Sequence, residues 1–523
     1  MSGKSYTVVT AISVSLAIST SALPQSTLPS VKTESAIKSL SIEPSSGAKL
    51  NSQLDFQQFK VNPEKLPAQS RDKIKLDFRG QASVPLLVPN TMILQFSPEA
   101  SKESIDSLIR RRNLKVVETF PNLGAVKVEG DFSKYFTPEL TDNDANQALL
   151  RGITKLIEDF TKEPNVRSAT PDLVLKAQAE SEVVSKFMSA ADVSTSAPVR
   201  NPAILDWGVK NIEADQLWNF TGAEDGVLLG VMDVGFARHD YITFLELPDK
   251  IEPADHGNHV AGIACGHHTS DRAIRGVLPN CFVRARAGNI FFNSEEGGGV
   301  LNFVVLFSQI LGTMNKFFSQ YDDVHVFNVS MGYNWMNNFG INPDLPEAAQ
   351  WRTIVASQGA IIVSALELAD KTHKVIYSAA GNDSFGLTTP VEAKFASALN
   401  WATFTARDKN IARNAVVVEA HDSANKRAAF SNVGGSMSCP GVNILSATAH
   451  DANGGASRSS YGIMSGTSMA SPYCASAHLL FSLVRPGYSG SEIIECLQAS
   501  TQKSDSGAPI PKLTQALAKC PAR

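Results

Sequence analysis

The sequence predicts an α/β domain, a mostly parallel sheet with helices on both faces, preceded by a small α+β ferredoxin-like unit. In residues 204–523, continuous apolar runs of strand length alternate with longer segments of helical spacing, which is the pattern of a covered parallel sheet. In residues 90–177, the predicted order is strand, helix, strand, strand, helix, strand, the split βαβ pattern. A chain of 523 residues has room for both units.

The N-terminal unit begins where a Ser- and Pro-rich region ends and segments with the hydrophobic periodicity of strands and helices follow. TMILQF (91–96) has the composition of a strand, and Ile105, Leu108 and Ile109 then follow at the spacing of one helix face, with Ser97 as a candidate cap. KVVETF and AVKVEG are predicted strands, RGITKLIEDFTKEPNV is a second amphipathic helix, and SATPDLVLK is the last strand.

The larger unit is predicted from apolar strands that end in polar or small residues. The strands are GVLLGVMD (226–233), VHVFNVSMG (324–332), KVIYSAAGN (374–382), AVVVEAHD and NILSATA, and the helices are HVAGIACG, part of PEAAQWRTIVASQGAIIVSALELADK, and 466–484. In such sheets, functional sites form at the carboxyl ends of the strands.

Three segments outside the two units are predicted to serve other purposes. Residues 1–22 carry a lysine, an apolar acid-free run and small residues, the pattern of a secretory signal peptide. Residues 23–89 are rich in Ser, Pro, Lys and Gln and are predicted to form a flexible leader. Residues 178–203 are polar and aperiodic, which predicts an exposed linker with a processing site.

The charge and the cysteines of the chain indicate which partners it binds and in which compartment it works. The net charge is −4 and no basic stripe is visible, so nucleic acid is not expected as a partner. Six cysteines, all in the C-terminal half, favour disulfides in an exported chain. Cys265–Cys281 and Cys496–Cys520 are the shortest loops to close, which leaves Cys439–Cys474, although Cys474 could instead be a buried thiol.

Four polar residues stand where strands end or helices begin: Asp233, His256, Asn382 and Ser468. Each alone is explained by a turn or a helix cap. Together, with small neighbours, they predict one site at the edge of the sheet. Ser468 at a helix start has free N–H donors and a favourable dipole beside it, which suits a nucleophile that generates an oxyanion. Pro472 is expected to be tolerated as part of the first helical turn.

These segments resemble the subtilisin-like serine proteases, the subtilases of peptidase family S8. HGNHVAG differs from the family's HGTHVAG at one position, GTSMASP is identical to the Ser block, SAAGN matches the oxyanion-Asn block, and NVSMG resembles the substrate-wall block. The resemblance extends over about 204–500, where FSNVGGSMSCPGVNILSA is also similar to the family. The unit at 90–177 is similar to the family's inhibitor I9-like propeptide.

The resemblance implies a role for each of the four residues, in the family's order Asp, His, Ser. Ser468 attacks the scissile carbonyl, and His256 accepts its proton and delivers it to the leaving amine. Asp233 orients the imidazole and stabilises its charged form. Asn382 and the Ser468 backbone N–H donate to the tetrahedral oxyanion.

The substrate walls are also implied by the resemblance. The residues expected to bind substrate are Ser330, Met331, Gly332, Ala379, Ala380 and Gly381. Their small size suits a pocket in which substrate pairs as an added strand, although tight packing also explains small residues. SEEGGGV (294–300) is a candidate for the opposite edge, where Glu295 and Glu296 would favour basic substrate residues.

The sequence departs from the family pattern at two positions near the predicted site. Val234 stands where the family has Ser or Thr, and Asn258 stands for Thr in the His block. Neither change removes a reacting group, but both alter the hydrogen bonds around the triad. HHTSDRAI lacks the carboxylates of a calcium loop, so no metal ligand is predicted, and structural calcium stays open.

Other classes of protein share parts of this pattern. His256, His259, His267, His268 and Cys265 are zinc-type ligands, but a packed helix and a loop explain them. An α/β-hydrolase needs G-x-S-x-G and the order Ser, acid, His, neither of which is present. Sedolisins share the SGTS block but use Glu where this chain has His256. A degenerate protease that binds peptides without cutting them is the remaining alternative from a different class.

The expected function is a secreted serine endopeptidase made as a self-processing zymogen. The N-terminal unit is expected to assist folding and to inhibit the catalytic domain until the linker is cut. Protein or peptide substrates are the expected partners, with no required cofactor, no nucleic acid, no membrane and a monomeric state. The location is extracellular, or periplasmic in a Gram-negative bacterium.

Overall fold

The architecture is given by a computed structural model that describes residues 31–43, 87–136, 145–177, 188–189, 205–220, 226–247, 255–268, 273–287, 290–292, 302–336, 341–450 and 456–523. The predicted signal peptide, most of the predicted linker, and Glu295 with Glu296 lie outside the described residues.

The N-terminal unit has the predicted order of elements. Its strands and helices are β1 (Leu87–Phe96), α2 (Lys102–Arg111), β2 (Lys115–Phe120), β3 (Ala125–Glu129), α3 (Ala145–Thr161) and β4 (Val166–Ala177). The sheet order β2-β3-β1-β4 is antiparallel throughout, the ferredoxin-like arrangement. Ser101, not Ser97, caps α2, because the side chain of Ser101 accepts a hydrogen bond from the Ser104 N–H.

One helix lies in the segment predicted to be a flexible leader. Helix α1 (Val31–Lys38) packs against the N-terminal unit and buries Ala36 and Ile37, and Leu40 is buried just after its end. The buried Thr33 hydroxyl bonds to the carbonyls of Ser97 and Ala100. The prediction is therefore wrong for this part of the leader, because an eight-residue helix carries too few apolar positions for its period to be recognised.

The larger unit is built on a parallel sheet of seven strands in its described part. The strands are β6 (Val227–Asp233), β7 (Thr243–Glu246), β8 (Cys281–Ala287), β11 (Val326–Val329), β13 (Val375–Ala379), β14 (Ala415–His421) and β15 (Met437–Pro440). Their order is β15-β14-β13-β11-β6-β8-β7, with every pair parallel. The predicted fold class is confirmed. Parallel strands buried on both faces explain the continuous apolar runs in the sequence.

Helices cover this sheet, and the other strands of the larger unit either form a three-stranded sheet or extend the sheet of the N-terminal unit. The helices are α4 (Trp207–Asn211), α5 (His256–Cys265), α6 (Phe307–Ser319), α7 (Ala349–Lys371), α8 (Ala398–Asp408), α9 (Thr467–Val484), α10 (Gly490–Gln498) and α11 (Leu513–Lys519). The remaining strands are β5 (Met188–Ser189), β9 (Ile290–Phe292), β10 (Asn302–Leu306), β12 (Met331–Gly332), β16 (Ile444–His450) and β17 (Ala456–Met464). Strand β17 lies between β16 and β5 in a separate sheet.

Strand β4 joins the two units. Its first half pairs with β1, whereas its last residues pair with β10 on one side and β12 on the other, both antiparallel. One hydrophobic cluster also continues through both units, from Ile93 and Phe120 to Leu311 and Ile361. The N-terminal unit is thus seated on helices α6 and α7 of the larger unit.

The six cysteines form the three predicted pairs. Disulfides join Cys265 to Cys281, Cys439 to Cys474, and Cys496 to Cys520. The second disulfide connects β15 to helix α9, two turns beyond Ser468. Cys474 is therefore not a free thiol.

Helix α7 together with the short turn before it (Pro346–Lys371) is long and apolar enough to cross a membrane by length and composition. It is the one such helix among the described residues. Within the fold, however, 72% of its apolar window is buried, which is typical of a core helix in a globular protein.

Candidate active site

Asp233 and His256 form a hydrogen-bonded pair at the carboxyl end of the parallel sheet. Asp233 is the last residue of β6, and His256 is the first residue of α5. The His256 Nδ1 lies 2.6 Å from Asp233 Oδ1, and both side chains are buried. This contact leaves Nε2 as the ring nitrogen free for chemistry. A carboxylate on Nδ1 fixes the tautomer and orientation of an imidazole that acts through Nε2.

Val234 and Asn258, the two departures from the family pattern, lie next to this pair in the chain. The Val234 side chain packs into the hydrophobic core, and its backbone N–H donates to Asp233 Oδ1 at 2.6 Å. Asp233 Oδ2 is buried without a donor among the described residues. Asn258 is fully buried, and its Oδ1 accepts from the Ala237 N–H at 3.0 Å. Asn258 therefore holds the loop that follows Asp233 against helix α5.

Ser468 is the second residue of helix α9, in a first turn anchored to the end of strand β11. The Ser468 hydroxyl donates weakly to the Ser330 carbonyl at 3.4 Å, and the Ser330 hydroxyl donates to the Ser468 carbonyl at 3.1 Å. Asn328 supports this contact, because its side chain donates to Ser330 Oγ and accepts from Ser471 Oγ. All four residues are buried.

Pro472 explains how this anchor is possible. The sequence predicts Pro472 in the first turn, but it is the sixth residue of α9, where an ordinary residue would donate to the carbonyl four positions earlier. That carbonyl belongs to Ser468. Because proline has no N–H, the Ser468 carbonyl lacks a helical donor and accepts the Ser330 hydroxyl instead. Pro472 is thus part of the way Ser468 is held.

The side-chain amide of Asn382 is held in one orientation by Thr467, the residue before Ser468. Its Oδ1 accepts from the Thr467 N–H and from the Thr467 hydroxyl, both at 2.9 Å. The same hydroxyl accepts from the Gly381 N–H at 3.1 Å. With Oδ1 occupied in this way, Nδ2 is the end of the amide left to donate to another group.

The structure does not join the two halves of the predicted triad by a hydrogen bond. His256 Nε2 is buried without a partner in the described part of the chain, and the Ser468 hydroxyl is turned to Ser330. In unliganded enzymes, catalytic hydrogen bonds are often long and tighten only when substrate binds. Rotation about the Ser468 Cα–Cβ bond is the motion that would redirect the hydroxyl.

The predicted substrate walls are the buried ends of neighbouring strands. Ser330, Met331, Ala379 and Ala380 are all buried, and Gly381 has a positive φ of 103° at the turn after β13. A side chain on Gly381 would also collide with Asn432. Met331 and Gly332 form β12, which pairs with Ala177 and Lys176 of β4.

The histidines considered as metal ligands have other partners. His259 is fully buried, and burial lowers its pKa to about 3, so its ring is neutral and bonds to the carbonyls of Ile444 and Gly462. His267 lies 2.9 Å from Thr243 Oγ1, and His268 bonds to the Gly276 carbonyl. Among the described residues, no group of three His, Cys, Asp or Glu side chains is placed to hold a metal ion.

Two contributors were not identified from the sequence. Thr467 orients Asn382, and Asn328 buttresses Ser330. Thr467 lies inside the Ser block, so its position next to the nucleophile was a usable signal. Asn328 lies within a run of buried β-strand residues, where a fully buried amide requires hydrogen-bond partners.

Comparisons with known proteins find relatives over the part of the chain that contains this site. A family model described as "Subtilase family" matches residues 225–513, more than half of the chain. The chain is 24% identical over 319 residues to an alkaline protease from Alkalihalobacillus alcalophilus, covering 59% of this chain and 67% of that protein. It is 24% identical over 298 residues to Subtilisin Savinase from Lederbergia lenta, covering 55% of this chain and 88% of that protein.

A solved structure shares the fold. Fervidolysin from Fervidobacterium pennivorans, described as a keratinolytic enzyme related to subtilisin, superposes with a TM-score of 0.54 at 17% identity. The match covers 84% of this chain and 62% of the fervidolysin chain, so this chain spans less than two thirds of that structure.

Proposed function

Because the chain belongs to the subtilase family of serine endopeptidases, we propose that it is a secreted enzyme of this kind, made as a zymogen that cuts itself. In this proposal Asp233, His256 and Ser468 are the triad and Asn382 is the oxyanion donor. The N-terminal unit at 90–177 is the intramolecular inhibitor, and the linker at 178–203 contains the bond that is cut.

The observation that carries the proposal is the position of strand β4. Its residue Lys176 lies opposite Val304 of β10 on one side and Gly332 of β12 on the other. An extended segment that pairs on both edges is held as a peptide substrate would be, by main-chain hydrogen bonds. The next residue, Ala177, lies opposite Met331, one residue from the Ser330 carbonyl that contacts Ser468. The chain thus enters the predicted linker beside the proposed nucleophile.

The proposed reaction follows from these contacts. When substrate binds, the Ser468 hydroxyl turns away from the Ser330 carbonyl and toward His256 Nε2. His256 Nε2 takes the hydroxyl proton as Ser468 Oγ attacks the substrate carbonyl. Asp233 stabilises the resulting imidazolium through Nδ1. The Asn382 Nδ2 and the Ser468 backbone N–H donate to the oxyanion. His256 then protonates the leaving amine. In the second half of the reaction water attacks the acyl group, His256 takes the proton of the water, and Ser468 Oγ leaves with that proton.

Secretion is supported by two features. Three disulfides are stable in an oxidising compartment, and the sequence of residues 1–22 has the pattern of an export signal. No step of the proposed reaction requires a cofactor. Protein or peptide chains are the proposed substrates, and a monomer is the proposed state.

The test follows maturation and turnover together. The purified precursor is incubated, its fragments are identified by mass spectrometry, and aliquots are treated with a fluorophosphonate probe and an unfolded protein substrate. We expect a cut within 178–203, labelling of Ser468 and turnover that appears only after the cut. An intact chain that neither labels nor turns over substrate would favour the degenerate peptide-binding protein.

A pH dependence is expected at the interface between the two units. Glu118 of β2 faces helix α6, and its Oε1 lies 3.4 Å from where a Cβ on Gly312 would stand. The pKa of Glu118 is raised to about 7, mainly by burial and to a smaller extent by the charge of Asp172, while Lys127 and Lys316 oppose the rise. The neighbouring contacts are fixed, because Lys127 Nζ lies 2.7 Å from Asp172 Oδ2, which also accepts the Ser308 hydroxyl at the start of α6.

The sign of the effect follows from comparing docked and released units. When the units are released, Glu118 is exposed and ionises near the ordinary glutamate pKa of 4.5, whereas in the docked state it stays protonated up to about 7. Docking therefore weakens as pH rises between these values and is constant above them. Allowing for partial solvent access, we expect the cut inhibitor to be held on the order of tenfold more weakly at pH 8 than at pH 5.

The measurement is the fraction of cut enzyme that turns over peptide at each pH, at one protein concentration. Glu118→Gln replaces the carboxyl group that titrates by an amide of the same shape. The active fraction of this variant should therefore lose most of its pH dependence. A wild-type fraction that falls with rising pH, or a Glu118→Gln profile identical to wild type, would contradict the assignment.

A further inference from the structure

Asp255 precedes His256, and its carboxylate ties helix α5 to the end of strand β16. Asp255 Oδ1 accepts from the Ala449 N–H at 2.6 Å and the His450 N–H at 2.9 Å. His450 Nδ1 lies 3.0 Å from the same oxygen, and both side chains are only 16% exposed. One carboxylate oxygen thus collects three contacts from a neighbouring strand.

Helix capping does not explain this carboxylate. Asp255 occupies the N-cap position of α5, but its side chain makes no capping bond. The first-turn N–H groups of Gly257 and Asn258 donate instead to the carbonyls of Val234 and Gly235, in the loop after Asp233. The start of α5 is therefore held by the Asp233 loop through its backbone and by β16 through the Asp255 side chain.

The second attachment leads to the nucleophile. Strand β16 pairs with β17, with Ile444 opposite Met464, and β17 ends four residues before Ser468. His259 makes another link from α5 to the same strands, through the Ile444 and Gly462 carbonyls. Asp255 makes the link at the end of α5 that carries His256.

We propose that Asp255 is a positioning residue that sets the placement of the His256 ring relative to Ser468. This inference rests on the proposed proteolytic function. Since no hydrogen bond joins His256 Nε2 to Ser468 Oγ in this structure, their separation depends on how α5 is held against the β16–β17 pair. A small misplacement of reacting groups is costly in rate.

A positioning role differs from a purely structural one in where the loss of activity is found. Misplacement of His256 lowers kcat in correctly folded enzyme, whereas a folding defect lowers only the number of active sites. The readouts are therefore the split between kcat and KM and the rescue of kcat by a variant that keeps an acceptor oxygen.

The experiment compares Asp255→Ala, Asp255→Asn and Asp422→Ala in the processed enzyme. Asp422 is a matched control, because its Oδ1 also accepts two backbone N–H groups, from Ala424 and Lys426, in an exposed turn. Turnover of a peptide is measured over a range of substrate concentrations at one pH, and rates are expressed per site labelled by a fluorophosphonate, so that misfolded protein is not counted.

For Asp255→Ala we expect kcat to fall about tenfold with KM within about twofold, because alignment is lost while the substrate walls remain. Asp255→Asn keeps an acceptor oxygen, so kcat should recover to within about threefold of wild type. Asp422→Ala should match wild type in both kcat and KM.

The inference is overturned if Asp255→Ala keeps its kcat per labelled site, or if Asp255→Asn is impaired as much as Asp255→Ala. If Asp255→Ala cannot be recovered folded, Asp255→Ser takes its place, with the same expected fall in kcat. Wild-type enzyme that neither labels nor turns over peptide would overturn the proposed function and this inference together, whereas active wild type with unaffected variants overturns only this inference.

Discussion

Replacing Ser468 by Ala is expected to leave the chain uncut and to lower peptide turnover by about 10⁶, a factor taken from subtilisin itself and carried over with the family. The reason lies in the contacts of the hydroxyl. Ser468 Oγ contacts the Ser330 carbonyl next to strand β4, and its removal takes away the atom proposed to form the acyl bond.

A denaturing gel and a peptidase assay measure this effect together. Ser468→Ala should stay near the full-length mass of 56.1 kDa, less any signal peptide, while wild type yields two fragments. Ser465→Ala is a suitable control, since its hydroxyl oxygen accepts from the Asn443 N–H in an exposed contact. If Ser468→Ala is cut like wild type, another protease performs the maturation, and turnover of added peptide then decides the role of Ser468.

Replacing Asn382 by Ala is expected to lower kcat by roughly 10²–10³ with KM little changed, a magnitude that also comes from subtilisin. Thr467 holds the Asn382 Oδ1 with two hydrogen bonds, which leaves Nδ2 as the donor. An oxyanion donor acts mainly in the transition state, so its loss appears in kcat.

Steady-state kinetics on processed enzyme check this expectation. Asn382→Asp is the informative partner variant, because it keeps the shape and replaces the donor by an acceptor. It should be at least as impaired as Asn382→Ala. A loss of less than about fivefold in both variants would mean that the amide does not donate to the oxyanion.

The fold class was predictable because buried parallel strands leave a simple record in the sequence. Strand β6 and strand β13 are continuous apolar runs that end at Asp233 and just before Gly381, and both were placed correctly. The ordered elements of the N-terminal unit were likewise visible as alternating and helical periods. Helix α8 was not predicted, since NWATFTARD mixes aromatic, β-branched and charged residues without a clean face.

Features that depend on contacts between distant segments could not be predicted. The sequence shows a last strand in the N-terminal unit, but not that β4 continues between β10 and β12. Pro472 is plain in the sequence, yet its consequence for the Ser468 carbonyl requires the position of Ser330. Asp255 precedes an obvious motif residue, but its three contacts come from Ala449 and His450, almost 200 positions later.

The hydrophobic cluster shared by the two units also bears on how the chain can be recombined. Ile93 and Phe120 on one side and Leu311 and Ile361 on the other belong to one packed core. Gln95 donates to the Ser364 hydroxyl, and Ser168 donates to the Ser357 carbonyl, across the same boundary. Because packed interiors tolerate volume changes poorly, the two units constrain each other's sequences. A unit borrowed from a relative would meet a surface fitted to a different partner, so these two parts of the chain are bound to change together during evolution.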